Sequence, residues 1–296
     1  MKNIFSIYHP LVIFTYIVSA LAFAMLTFNP VYVILSFYIG SLYSIYLLGI
    51  KKYISTLKFG VVLFIVVAIA NPMFNHQGLT VLFYNPWDNP ITLEAFAYGL
   101  SSGGMLVSIF IWFNCYNGLI NNDKFMYLFG RILPTIALML SMIMKWVPVT
   151  KNRISIINNS QKSLGLGVNM GTKKQKINRC IRVTSILMSW SLEDSIETAD
   201  SMKARGYGCT KRTSYSVYKW GTHDIISMFI ISLLVIVNGV LILGGYSTYE
   251  YYPTFSGNLF GVANLFAYGL YIILLAYPLL LEGKEEIVWK LLKYRT

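Results

Sequence analysis

Ile225-Ile-Ser-Met-Phe-Ile-Ile-Ser-Leu-Leu-Val-Ile-Val-Asn-Gly-Val-Leu-Ile-Leu-Gly-Gly245 settles what kind of chain this is. The run holds no Asp, Glu, Lys, Arg or His, and it matches the roughly 20 apolar residues a helix needs to cross a hydrocarbon core. Working outward, comparable runs occupy residues 11–28, 31–50, 59–74, 95–115 and 259–281. The fourth of the six runs in chain order carries the pair Gly103-Gly104, and a further apolar run at 132–144 is too short to span. Hydrophobic residues make up 56% of the 296-residue chain and charged residues only 12%, where soluble domains carry about 25% charge. The sequence predicts an all-α polytopic membrane protein with about six transmembrane helices.

Charge gives the expected orientation. The turns at 28–31, 75–94 and 246–258 contain no Lys or Arg, whereas the segment Lys51–Lys58 and the tail Lys284–Arg295 are basic. Sixteen of the 24 basic residues lie from Lys124 to Lys219. The bias of Lys and Arg toward cytoplasmic loops then places both termini and the long insert inside. Asp88, Glu94 and Glu250 fall on the opposite side, beside interfacial aromatics such as Trp87. Ala22-Phe-Ala24 imitates a cleavage site, but the apolar run continues to Phe28, so a retained first span is expected. A net charge of +12 on so apolar a chain suits anionic lipid headgroups and acidic protein surfaces better than nucleic acid. Three cysteines, Cys115, Cys180 and Cys209, imply no disulfide framework.

The expected layout is four spans in residues 1–120, a cytoplasmic region of membrane-flanking helices in 121–220, and two closing spans with a basic tail in 221–296. Within the insert, apolar stretches (125–144, 181–190) alternate with polar ones (151–164, 191–205), a pattern that suits helices lying along a membrane face. The Gly- and Lys-rich stretch 165–176 reads as a mobile turn.

The stretch Ser191–Arg205 reads as a well-punctuated helix. Ser191 and Asp194 fit a capping box, and Glu193, Asp194 and Glu197 near its start with Lys203 and Arg205 near its end would suit the helix dipole. Gly206 and Gly208 supply left-handed stops, and Leu192, Ile196, Ala199 and Met202 share one face. The bland reading is a capped surface helix. The sharper one is that Arg205, flanked by small Ala204 and Gly206, reaches from the helix tip to a carboxylate or carbonyl in a partner's groove.

At Met202-Lys-Ala-Arg-Gly-Tyr-Gly208 the chain resembles the transmembrane T component of energy-coupling factor (ECF) transporters, the family that includes the cobalt-transport permease Q subunit. Upstream, Lys145-Trp-Val-Pro148 and Gln161-Lys-Ser-Leu-Gly165 resemble the family's first coupling helix, which usually shows Arg-Phe-(Ile/Val)-Pro and Gln-x-Ala-Arg-Gly. Here Lys145 replaces the first arginine, Ser163 the alanine, and Leu164 stands at the second arginine's position, with Lys162 offering a nearby charge. The resemblance implies a non-enzymatic protein seated between two cytosolic ATP-binding-cassette (ABC) ATPases and a membrane-embedded substrate-capturing S component, for uptake of a vitamin or transition-metal ion. It further implies two ATPase contacts, at Gln161, Lys162, Ser163, Leu164 and Gly165 and at Ala204, Arg205 and Gly206, with no cofactor and no bound metal.

The residues themselves agree that energy would have to come from another chain. Gradient coupling normally leaves ionisable side chains inside the spans, and the apolar runs have none; His9, His76 and His223 sit at their edges. Gly165-Leu-Gly-Val-Asn-Met-Gly-Thr-Lys173 does not satisfy the phosphate-loop spacing at any register. Two alternatives from other classes stand beside this reading. One is a membrane enzyme for Mg²⁺-dependent prenyl or phospho transfer, using Glu193, Asp194, Glu197 and Asp200, although a second acidic cluster is missing. The other is a stand-alone facilitator, whose spans would offer only scattered Ser, Thr, Tyr and Asn.

Overall fold

A computed structural model describes residues 4–84, 90–130, 132–167, 172–209, 218–257 and 259–295. Trp87 and Asp88 of the outer turn and residues 168–171 of the glycine-rich stretch lie outside the described residues. The chain divides into two units, one of residues 1–124 with 218–296 and one of residues 125–217.

The first unit contains the apolar helices. These are α1 (Pro10–Leu26), α2 (Pro30–Leu48), α3 (Ile50–Phe74), α4 (Leu93–Leu119), α8 (Thr222–Leu243) and α9 (Val262–Arg295). Five of them, α2, α3, α4, α8 and α9, are long and apolar enough to cross a membrane, and α1 is a shorter apolar helix of 17 residues. The chain is thus an all-α polytopic membrane protein, with one small addition. Strands β1 (Val81–Tyr84) and β2 (Pro90–Thr92) pair antiparallel between α3 and α4. A continuous apolar run as short as Val81–Tyr84 does not separate strand from helix by periodicity alone.

Several boundaries differ from the sequence expectation. The basic segment Lys51–Lys58 is no loop: Gly49, at φ +82°, turns the chain between α2 and α3, and α3 starts at the next residue. The tail Lys284–Arg295 likewise continues α9. Lysine favours helix nearly as well as leucine, and the helices run on through Gly60 in α3 and Gly283 in α9.

The core of this unit is aromatic and hydrogen-bonded. Trp112 is fully buried and donates from Nε1 to Ser36 Oγ at 3.0 Å, tying α4 to α2. Tyr16 donates to the Leu275 carbonyl at 2.8 Å, tying α1 to α9. Tyr277 meets Ser227 at 2.8 Å between α9 and α8. Each bond satisfies a polar tip that lipid cannot. Glu282 on α9 is only 2% exposed, so one carboxyl is buried just past the apolar run that seemed free of ionisable groups. Helix α3 is held mainly by α4 through glycines: Gly99 lies against Ala68, Gly103 against Phe64, and Gly60 against Val107. The Gly103-Gly104 pair is therefore a close-packing surface inside a span.

The second unit contains most of α5 (Asn122–Gly130), then α6 (Pro134–Ser163) and α7 (Lys173–Ala204). Helix α7 is continuous for 32 residues, so the capping box expected at Ser191 and Asp194 does not exist. The box is instead Thr172 with Gln175, whose side chain accepts from the Thr172 amide at 3.1 Å. Nothing from 181 to 191 breaks a helix, and mid-helix amides already have carbonyl partners, leaving Ser191 no orphan N–H to cap. The stretch 165–176 is shorter as a turn than expected, because α7 begins at Lys173.

Candidate functional site

Helices α6 and α7 meet at a polar contact. The Arg153 guanidinium pairs with the Asp194 carboxylate, and it also lies over the Trp190 ring at 4.5 Å from its centroid. Both side chains of the ion pair are largely covered, at 20% and 25% exposure, which makes such a pair costly to break from one side. Asp194 lies ten positions before the end of α7, outside the last turn where the dipole acts, and its charge is met by Arg153. Trp190 and Asp194 are one turn apart on the same face, and Arg153 reaches both.

The two helices run in opposite directions past this contact. An apolar groove of about 660 Å³ is lined by Trp146, Val147 and Ile154 before and beside the contact on α6, and by Ser195, Thr198 and Met202 after it on α7. On the other side Arg179 Nη1 donates to the Gly167 carbonyl at 2.8 Å, binding the start of α7 to the turn that follows α6. The face of α7 toward α6 is therefore the Asp194, Ser195, Thr198 and Met202 side. Leu192 and Ile196, expected to share the apolar packing face, are 67% and 65% exposed.

Every sequence-predicted site residue lies at the end of one of these two helices. Ten residues separate Arg153 from Ser163, the last of α6, and ten separate Asp194 from Ala204, the last of α7. Each tip thus stands about 15 Å along its own helix from the ion pair, and the two lie on opposite sides of it.

The tips share one backbone. Leu164 caps α6 at φ −86°, ψ 8°, and Arg205 caps α7 at φ −83°, ψ 7°. Gly165 (φ +72°) and Gly206 (φ +81°) follow in the left-handed region. The Gly165 amide donates to Lys162 O at 3.0 Å and the Leu166 amide to Gln161 O at 2.9 Å. At the other end the Gly206 amide donates to Lys203 O at 2.9 Å and the Tyr207 amide to Met202 O at 3.0 Å. Both are complete Schellman caps. They align Gln161 with Met202, Lys162 with Lys203, Ser163 with Ala204, Leu164 with Arg205 and Gly165 with Gly206. Lys162 is matched by Lys203, so a lysine there is common to both ends and leaves the Leu164 difference uncompensated.

The tips are open. Arg205, Ala204, Ser163 and Lys162 are exposed, Leu164 is 72% exposed, and a Cβ built on Gly165 or Gly206 meets nothing within 4 Å. A rigid end with a small residue on each side of one long side chain is a knob suited to a partner's socket. The acids weighed for metal chemistry are dispersed in role: Asp194 holds Arg153, and Asp200 stands 4.0 Å from Lys203. Arg153 and Trp190 were missed from sequence, since a contact between two helices leaves no spacing signature in either.

No family model matches the chain. Curated relatives do. Over 101 residues it is 34% identical to the energy-coupling factor transporter transmembrane protein EcfT of Lactobacillus helveticus, covering 34% of this chain and 36% of that protein. It is 31% identical over 100 residues to EcfT of Streptococcus equi, covering 33% and 37%, and 32% identical over 103 residues to EcfT of Streptococcus thermophilus, covering 34% and 39%. The chain thus spans a little over a third of the length of the curated relatives it matches. Over that portion this multi-pass membrane protein is similar in sequence to the transmembrane T component of energy-coupling factor transporters, the family its Ala204-Arg205-Gly206 helix end resembles.

Proposed function

We propose that the chain is the transmembrane coupling component of an ECF-type ABC importer. In this reading two cytosolic ABC ATPases take up the tips of α6 and α7, and the membrane unit holds an S component that binds a vitamin or transition-metal ion. The observation that carries it is the pair of Schellman-capped tips, alike in backbone, open to solvent, and equidistant from the Arg153–Asp194 contact. Two ends on opposite sides of the crossing, each about 15 Å along its helix from it, engage two partners more readily than one. A closing ATPase pair would change the crossing of α6 and α7, and that motion would reach the S component. The chain supplies no reaction of its own; it transmits force.

Orientation belongs to the same proposal. With residues 121–220 cytoplasmic, both termini are cytoplasmic too, and the basic surface faces anionic lipid. The sequence similarity to EcfT proteins supports the coupling role over a Mg²⁺-dependent transferase or a stand-alone facilitator.

The test is affinity purification of the tagged chain in mild detergent with identification of bound subunits, beside the variant Arg205→Glu. Wild type is expected to retain ABC ATPases and a small membrane protein. The variant is expected to lose the ATPase seated on α7, because a carboxylate would meet a socket built for a cation. Normal retention and transport by Arg205→Glu would refute the anchoring role of Arg205.

A further inference from the structure

The two tips carry unlike keys on one backbone. At the aligned cap position α6 presents Leu164, 72% exposed, and α7 presents Arg205, also exposed. The cap dihedrals agree within a few degrees, the following glycines are both left-handed, and both Schellman bonds are made at each end. The lysine two positions before the cap is present at both. The aligned pairs that differ are Gln161 and Met202, Ser163 and Ala204, Leu164 and Arg205, and Leu166 and Tyr207; the cap pair is the one that sets an apolar side chain against a charged one.

A guanidinium and an isobutyl group cannot be served by one socket. An arginine pushed into an apolar pocket loses water without gaining acceptors. A leucine pushed between carboxylates or carbonyls leaves those groups unpaired. Because the backbones match, neither tip escapes the mismatch by a change of approach. Among the described residues Leu164 stays 72% exposed, so in the coupling reading its burial is left to a partner.

Resting on the coupling reading above, we infer that Leu164 is a specificity-determining knob for an apolar socket on one ATPase, while Arg205 is the knob for an acceptor-lined socket on the other. The two ATPase surfaces are then chemically different, and the near-symmetric crossing docks on them in one orientation only. Mismatch at the wrong socket, not only fit at the right one, sets that orientation.

The experiment measures binding of each ABC ATPase subunit from the same genome, purified singly, to the full-length chain in detergent. The chain is wild type, Leu164→Met, Leu164→Ser, Leu164→Arg or Arg205→Leu. Leu164→Met is expected to bind within about twofold of wild type, since volume and polarity are kept. Leu164→Ser and Leu164→Arg are expected to weaken one subunit roughly tenfold or more, the scale of one buried leucine, and to leave the other unchanged. Arg205→Leu is expected to do the reverse. Retained binding of the second subunit shows in each case that the variant is folded.

Equal or tighter binding of both subunits by Leu164→Arg would overturn the inference, as would a loss shared equally by both subunits. Failure of the wild-type chain to bind either subunit would instead overturn the coupling reading itself.

Discussion

Arg153 lies over the ring of Trp190, 4.5 Å from its centroid, while its guanidinium holds Asp194 one helical turn further along α7. One side chain on α6 thereby meets two on α7 and fixes where the helices cross. Cation–π attraction and ion pairing act on the same group, and arginine is the residue that supports both at once.

Arg153→Leu should consequently loosen the crossing by about 2–4 kcal/mol, because it strands a largely covered carboxylate. Arg153→Lys keeps the charge but loses the planar stack, and should recover only part of that. Hydrogen exchange across 150–157 and 187–194 reports the change: protection is expected to fall in the order wild type, lysine, leucine. Equal protection in all three would show that the crossing is held by apolar packing alone.

The left-handed glycine at each tip makes a different kind of demand. Gly206 stands at φ +81° with nothing within 4 Å of a built Cβ, so a side chain there costs conformation and not space. Gly206→Val should cost about 1–2 kcal/mol and unmake the last turn of α7, while Gly206→Asn, which tolerates that region, should cost less. The amides of Gly206 and Tyr207, bonded to the Lys203 and Met202 carbonyls, are the probes. They are expected to exchange faster in the valine variant and near the wild-type rate in the asparagine variant. Gly165→Val should act alike on the Leu166 amide.

These contacts show where sequence reading succeeds and where it stops. Uncharged runs such as 225–245 announce membrane helices because lipid forbids unpaired backbone and charge over a fixed length. Gly206 is legible as a helix stop, since glycine alone enters the left-handed region freely. The same local rules misplace a helix start at Ser191: Ser-x-x-Asp has the chemistry of a box, but only an orphaned N–H makes it one. They also read Lys51–Lys58 as a loop, although lysines on an exposed helix face keep their ammonium groups wet. The equivalence of Leu164 and Arg205 is hidden in sequence because it is a property of dihedrals, and the Arg153 contact is hidden because it joins two helices.

Packing in the membrane unit yields a third expectation. A Cβ on Gly103 would lie 3.0 Å from the Phe64 ring and 3.2 Å from the Phe64 carbonyl oxygen. The ring can turn away but the carbonyl belongs to the α3 backbone, so the helices must part. Helix α3 buries only Gly60, Ala68 and Pro72, so it has little other surface with which to hold its place. Gly103→Leu should destabilise by about 1–3 kcal/mol, the usual cost of overpacking, and Gly103→Ala by less. A thermal melt of the detergent-solubilised protein checks this; an unchanged midpoint for the leucine variant would mean that α3 is held by something other than α4.

The last expectation concerns acid. His9 caps α1, its Nδ1 accepting from the Leu11 amide at 3.2 Å, and its ring stacks on Trp220 at a centroid distance of 4.1 Å. Burial lowers the His9 pKa, and Asp224, which accepts from the His9 amide at 2.9 Å, offsets part of that. A lowered folded pKa means that the unfolded chain binds protons first as pH falls. The His9 contribution to stability is therefore whole above the unfolded value of about 6.5 and is lost as pH drops toward the folded one. Protonation also removes the acceptor that caps the helix. Between pH 7.5 and 5.5 the melting midpoint of wild type should decline, and His9→Asn, which keeps a capping oxygen but cannot titrate, should decline less. A steeper decline in His9→Asn than in wild type would place the acid sensitivity at another group.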